Sequence, residues 1–144
     1  MATDSAFAPV APGFFQALIE QAPDAMIFAD REGTIRVWNS RAQVIFGYAA
    51  SDAIGRSLDL IIPQHLRAPH WRGYRQAILT GQTRLSGRPI VTRATHQDGS
   101  KLHVELAFGL LRDPQHGVLG AIATGRVASK PPPSKRSSGS SSEG

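Results

Sequence analysis

Residues 25–39 run Ala25-Met26-Ile27-Phe28-Ala29-Asp30-Arg31-Glu32-Gly33-Thr34-Ile35-Arg36-Val37-Trp38-Asn39, and the rest of the architecture is built outward from them. Two runs rich in β-branched and aromatic residues flank a polar turn whose glycine can take a positive φ, the pattern of a β-hairpin. Asn39 then precedes Ser40 to Phe46 with a side chain suited to capping a helix start, and Gly47 is placed to end that helix. Upstream, Phe14, Phe15, Leu18, Ile19 and Ala22 recur at helical spacing before Pro23, which predicts a short amphipathic helix.

Downstream, Ser51 to Arg56 reads as a helical turn capped by Ser51 and closed by Gly55. Leu58, Leu60, Ile61 and Ile62 form an apolar anchor that Pro63 stops. A longer helix is expected from about Arg67 to Thr80, with Pro69 near its first turn, Gly73 as a weak point and Gly81 past its end. The period then changes. Pro89 to His96 reads as a strand, Gln97-Asp98-Gly99-Ser100 as a hairpin turn, and Lys101 to Leu111 as a strand in which Leu102, Val104, Leu106, Phe108 and Leu110 alternate with Lys101, His103 and Glu105. Asp113 to Gly117 is another turn, and Val118 to Val127 a last strand. Five strands joined mainly by hairpins imply an antiparallel sheet with the helices on one face, an α+β architecture.

The chain has 144 residues, enough for one self-sufficient core. Its lack of cysteine excludes disulfides, Cys-containing zinc sites, thiolate nucleophiles, c-type haem attachment and flavin-cysteinyl photochemistry. Every hydrophobic stretch is interrupted before the roughly 18 residues of a membrane span, and the start lacks the basic and apolar regions of a secretory signal, so the expectation is a soluble, cytoplasmic protein. Residues 1–12, rich in Ala and Pro, read as a loose N-terminal segment, 13–127 as the folded unit, and 128–144 as a disordered Pro/Ser/Gly-rich tail. The 16 Lys and Arg against 11 Asp and Glu give +5, of which Lys130, Lys135, Arg136 and Glu143 supply +2.

Ala22-Pro23-Asp24-Ala25-Met26, Asp30 to Ile35, Val37-Trp38-Asn39, Phe46-Gly47-Tyr48, Ile54-Gly55-Arg56, Ile61-Ile62-Pro63 and Gln97-Asp98-Gly99-Ser100 are each ordinary turn or cap signals. In this order and spacing they resemble the PAS domain family over nearly the whole folded unit. The resemblance implies a PAS fold, a five-stranded antiparallel sheet and flanking helices enclosing a small-molecule cavity, used for sensing or protein association. A narrower likeness lies in Pro63-Gln64-His65-Leu66-Arg67-Ala68-Pro69-His70 with Tyr74, Gly81 and the Asp98-Gly99 turn, which is similar to the haem-binding PAS domains of bacterial oxygen sensors. There a His on the long helix is the proximal iron ligand, and His70 falls at the matching place. Neutral imidazole suits b-type haem, which needs one such bond, an apolar slot and cations for its propionates.

On that reading His70 is the metal ligand, and Tyr74, Ala77 and Ile78 line the slot one to two turns further along the helix. Leu102, Val104, Leu106 and Phe108 face it from the sheet. Residues 56–93 hold seven Arg against the single acid Asp59, and Arg67, Arg75 and Arg84 are the candidates for the propionates. The sequence departs from the sensors at the strand facing the haem, where they carry a gas-binding Arg or an iron-ligating Met. Counting from the Asp-Gly turn puts Ile90 at that place and Arg88 two residues earlier, on the same face by strand parity, so Arg88 is the candidate substitute. The end of the last strand also lacks the Asp-Ile-Thr signature that many PAS domains use to couple to an effector.

Competing readings carry less. His65 and His70 are five apart with Pro69 between them, not the spacing of a helical metal pair. His96, His103 and His116 fall at a strand end, an outward strand position and a turn, where solvated imidazoles are the default. No catalytic signature is present, and the acidic residues sit mostly in turns that explain them, so no enzyme is expected. The Arg-rich segment lacks a stacking platform beyond Trp71 and Tyr74, which disfavours nucleic acid. The sequence thus reads as a stand-alone PAS sensor. It is expected to be a homodimer through the opening helix, with a diatomic gas or a redox change as the signal if haem is bound. A separate kinase or regulator, in transcriptional or two-component regulation, would be its partner. The alternative is a PAS interaction or dimerisation module without haem.

Overall fold

The structure is a computed structural model that describes residues 6–85 and 87–129. The chain orders as α1 (Phe14–Glu20), β1 (Ala25–Asp30), β2 (Ile35–Trp38), α2 (Ser40–Phe46), α3 (Ala50–Ala53), a 3₁₀ turn (Leu58–Leu60), α4 (Gln64–Thr80), β3 (Ile90–Thr95), β4 (Lys101–Asp113) and β5 (Gly117–Val127). The five strands form one antiparallel sheet in the order β2-β1-β5-β4-β3, so the last strand lies in the middle beside the first. The α+β class and the five-stranded antiparallel sheet are as the sequence predicts.

The β1–β2 turn is organised by Asp30, whose Oδ1 accepts from the N–H groups of Glu32 and Thr34 at 3.0 Å each while Arg36 Nε donates to Oδ2 at 2.9 Å. Such an Asx arrangement supplies partners that the short turn cannot. The start of α2 is capped as expected, Asn39 Oδ1 accepting from Ala42 N at 3.1 Å. Alternation along β1 buries Ala25, Ile27 and Ala29 and leaves Met26, Phe28 and Asp30 on the other face. These join Ile35, Trp38, Ala42, Ile45, Phe46, Ala53, Ile61, Ala94, Val104 and Leu106 in the buried interior between sheet and helices. Register extends that inner face: Ala25, Ile27 and Ala29 stand opposite Gly125, Ala123 and Ala121, which stand in turn opposite Leu106, Phe108 and Leu110. The middle of the sheet is therefore a shallow floor of small residues beside a wall of large ones.

Three expectations are corrected. Ser51 does not cap α3; the helix begins at Ala50 with Ala49 in the capping position and no side-chain cap bond. The long helix starts at Gln64, directly after Pro63, so Pro69 lies inside it. Extended backbone at Pro63 ends the preceding turn, and Leu66 N already donates to Pro63 O at 2.9 Å, so the helix starts three residues ahead of the expected Arg67. The third strand begins at Ile90, not Pro89, while the fourth runs on to Asp113. Residues 1–5 of the expected loose segment and 130–144 of the expected tail lie outside the described residues.

Candidate functional site

His70 sits midway along α4 on the side that also carries Trp71 and Tyr74, and the three rings contact one another. The His70 and Trp71 centroids are 4.6 Å apart at 75°, His70 and Tyr74 5.7 Å at 38°, and Trp71 and Tyr74 5.3 Å at 73°. The His70 Nδ1 atom is buried and has no hydrogen-bond partner among the described residues. An orphaned buried polar atom costs about 1–3 kcal/mol and marks a place where a partner is missing. Burial pushes the imidazole below its ordinary pKa, with the Asp59 carboxylate opposing in part, so the ring is neutral at physiological pH. A neutral imidazole is the form that donates a lone pair to a metal.

Both neighbours of His70 are pinned. The Tyr74 hydroxyl donates between the carbonyls of Ala29 (3.1 Å) and Asp30 (2.6 Å), tying α4 to the end of β1. Its burial near the Asp30 carboxylate pushes the phenol up to about 12, which keeps it a donor. The Trp71 indole N–H donates to Asp59 Oδ1 at 2.7 Å, and its ring lies over Gly33. At the far end of α4, Arg112 Nη2 donates to the Gly81 carbonyl, the acceptor left over at the helix terminus.

The expected slot residues divide. Ile78 is buried and Ala77 half-buried on α4, while Leu102, Val104, Leu106 and Phe108 share the inner face of β4. Ile90 is half-buried and stands opposite Leu106. Arg88 is exposed and precedes the strand, its N–H donating to Leu85 O at 2.8 Å, so strand parity does not carry to it. Arg67 is already used: its Nε donates to Ile62 O at 2.9 Å and its Nη2 to Asp59 O at 3.1 Å. Arg75 and Arg84 are exposed, and their side chains make no hydrogen bond or ion pair with any described residue. Elsewhere, His116 Nδ1 pairs with Asp113 Oδ2 at 2.7 Å and His96 Nδ1 accepts from Asp98 N at 3.1 Å, both within turns.

Sequence reading counted Asp59 only as the one acid of the Arg-rich segment and did not connect it with Trp71. Asp59 was legible as the lone acid among seven Arg, but its acceptor role depends on a helix face brought back over the 3₁₀ turn.

An apolar groove of about 470 Å³ runs along α1 and is lined by Phe14, Leu18, Ala22, Pro23 and Met26 among others, and a polar one of about 370 Å³ lies at Gly81, Gln82, Thr83, Leu110 and Arg112. Neither is the chamber between helix and sheet that the resemblance implies. No three His, Cys, Asp or Glu converge as a metal-binding group among the described residues. The donor at the ring cluster on α4 is thus one neutral imidazole with an unsatisfied nitrogen. This fits a macrocycle that brings four nitrogens of its own better than a bare ion, which would need several protein ligands.

The family described as PAS fold matches residues 13–128. An uncharacterised protein of Azorhizobium caulinodans is 34% identical over 92 residues, which is 63% of this chain and 12% of that protein. The sensor protein FixL of Bradyrhizobium diazoefficiens is 24% identical, covering 65% of this chain and 19% of FixL. The oxygen sensor protein DosP of Escherichia coli is 27% identical, covering 68% of this chain and 12% of DosP. The chain therefore spans less than a fifth of the length of these relatives. Among solved structures, a PAS domain from Colwellia psychrerythraea superposes with a TM-score of 0.68 at 18% identity, covering 79% of this chain and 93% of that one. No helix of the described residues is long and apolar enough to cross a membrane.

Proposed function

The chain belongs to the PAS family, and from that premise we propose that it is a sensory domain that binds b-type haem through His70. The observation that carries this reading is the buried, unpartnered Nδ1 on a neutral imidazole at the centre of α4. Similarity to an oxygen sensor protein and to FixL supports it. Haem, when bound, supplies an iron whose chemistry responds to a diatomic gas or to oxidation state. The chain's own residues do the rest. His70 holds the metal, and Ile78, Ile90, Leu102, Val104, Leu106 and Phe108 exclude water from the inner face. The exposed Arg75 and Arg84 meet the propionates, with Arg67 the weaker candidate because two backbone carbonyls already occupy it.

The test is a hemin titration followed by absorbance. The expected result is a sharp Soret band saturating at one haem per chain and abolished by His70→Ala. A featureless spectrum, or a band that His70→Ala leaves intact, overturns the assignment.

The signal leaves the domain through protein contact, first with a second copy and then with a separate kinase or regulator in the cytoplasm. The dimer half of this reading rests on α1, none of whose residues is buried. Phe14, Phe15 and Leu18 are 44%, 42% and 56% exposed, and α1 is held by Asn39 Nδ2 on Ile19 O and Ser40 Oγ on Glu20 O. An isolated seven-residue helix is not stable in water, so this one needs a surface to pack against. Leu18→Asp is expected to convert a dimer to a monomer in sedimentation without lowering the melting temperature of the sheet. An unchanged mass removes α1 from the interface. The same surface supports the alternative of an interaction module without haem, which a negative hemin titration with a dimeric wild type would favour.

A further inference from the structure

Asp59 and Trp71 form a chain of contacts that ends on His70. The Trp71 indole is fixed at its N–H by the Asp59 carboxylate at 2.7 Å, and its ring stands edge-on against His70. Asp59 is itself held on the 3₁₀ turn. Its N–H donates to Ser57 Oγ at 3.0 Å, its carbonyl accepts from Arg67 Nη2 at 3.1 Å, and its Oδ1 lies 3.8 Å from Arg67 Nε. On the other side of the indole, Gly33 comes so near that it has no room for a Cβ. Tyr74, tied to the end of β1, closes the third side of the ring cluster.

This arrangement has a consequence for a ring whose own nitrogen has no partner. A metal-binding His is usually oriented by a hydrogen bond from its second nitrogen, and such supporting groups matter almost as much as the ligand itself. His70 has none at either ring nitrogen among the described residues. Its plane must be set by what packs on it, and Trp71 is the nearest ring. An N–H donated to a carboxylate is one of the stronger fixings available to an indole, and it removes the rotamer freedom that would otherwise let the cluster relax. Building on the haem reading, we infer that Asp59, acting through the Trp71 indole, is the positioning residue that fixes the His70 imidazole before ligand arrives.

The experiment uses four variants, Asp59→Ala, Asp59→Asn, Trp71→Phe and the double Asp59→Ala/Trp71→Phe, with two readouts. In the protein without haem, the His70 ring protons, identified by their loss in His70→Gln, report the ring current of Trp71 at one fixed pH. Asp59→Ala is expected to shift them and Asp59→Asn, which keeps an acceptor, to leave them near wild type. In the Trp71→Phe background, Asp59→Ala is expected to add nothing, because the two act through one bond. With hemin, Asp59→Ala and Trp71→Phe are each expected to lose about tenfold in affinity, and Asp59→Asn to stay close to wild type. Wild-type shifts and affinity in Asp59→Ala overturn the inference. So does an Asp59→Asn loss equal to that of Asp59→Ala, which would make the effect one of charge. If Asp59→Ala does not fold, Trp71→Phe and Asp59→Asn decide by the same criteria. If the wild type takes up no hemin, the haem reading falls, and the ring-proton shifts alone decide the positioning role.

Discussion

Asn39→Ala is expected to lose about 3–5 kcal/mol of stability, several times the ~1 kcal/mol that an ordinary helix cap contributes. Asn39 is 2% exposed, and its side chain makes four bonds. Oδ1 accepts from Met26 N at 2.9 Å and Ala42 N at 3.1 Å, and Nδ2 donates to Ile19 O at 2.9 Å and Asp24 O at 3.0 Å. One amide thus joins the end of α1, the segment before β1, the first residues of β1 and the start of α2. Alanine leaves two N–H groups and two carbonyls without their partner. Only those that reach water recover part of the loss. Asn39→Asp is expected to be at least as damaging, since it keeps both acceptor bonds but turns a carboxylate oxygen toward two carbonyls. Denaturant unfolding monitored by Trp fluorescence measures both. A loss below about 1.5 kcal/mol for Asn39→Ala would reduce the residue to a cap whose other partners are solvated.

The contrast between that cap and its remaining bonds marks how far the sequence could be read. A cap is local, so Asn before Ser40-Arg41-Ala42 announces it. The bonds to Ile19, Asp24 and Met26 join residues 13 to 20 positions apart and exist only after the hairpin has closed. Turns behave like the cap: Asp30, Gly33, Asp98 and Gly99 carry their geometry in their own side chains or lack of one, which is why the β1–β2 and β3–β4 hairpins and the strand alternation on β4 were legible. The errors fall where two local signals compete. At Ser51 a good capping residue sits one place inside a helix that begins without a cap, and at Pro69 a proline lies within a helix that Pro63 had already started. The placement of His70, Tyr74 and Ile78 along one helix was legible because a helix keeps its own spacing. The loop before β3 has no such period, so the face of Arg88 could not be inferred from Ile90. Asp59 could not be paired with Trp71 for the same reason as Asn39 with Ile19: the contact is made by the fold.

Gly33→Ala tests that distinction at the site itself and is expected to lose about 2–5 kcal/mol. Gly33 has φ +84, in the left-handed region where a Cβ costs about 1–2 kcal/mol. Its Cβ would also overlap the Trp71 ring, and that ring has little freedom to retreat while its N–H is held by Asp59 at 2.7 Å. Overpacking of this kind costs typically 1–3 kcal/mol, and it adds to the backbone strain because the same atom causes both. Two variants separate the contributions. Gly33→Ala in a Trp71→Ala background keeps the strained φ but meets no ring, so the difference between the two backgrounds measures the collision alone. If the full loss survives without Trp71, the strain is entirely in the turn and the ring cluster is not sensed there. If about half disappears, the β1–β2 turn and the His70 side of α4 are mechanically coupled through one indole. A change in the ring cluster would then be felt at the hairpin that starts the sheet, and a change at the hairpin would be felt by the imidazole. Such a two-way contact is what the proposed sensory reading requires of α4, since a ligand can shift an equilibrium only by as much as the two states differ in their contacts with it.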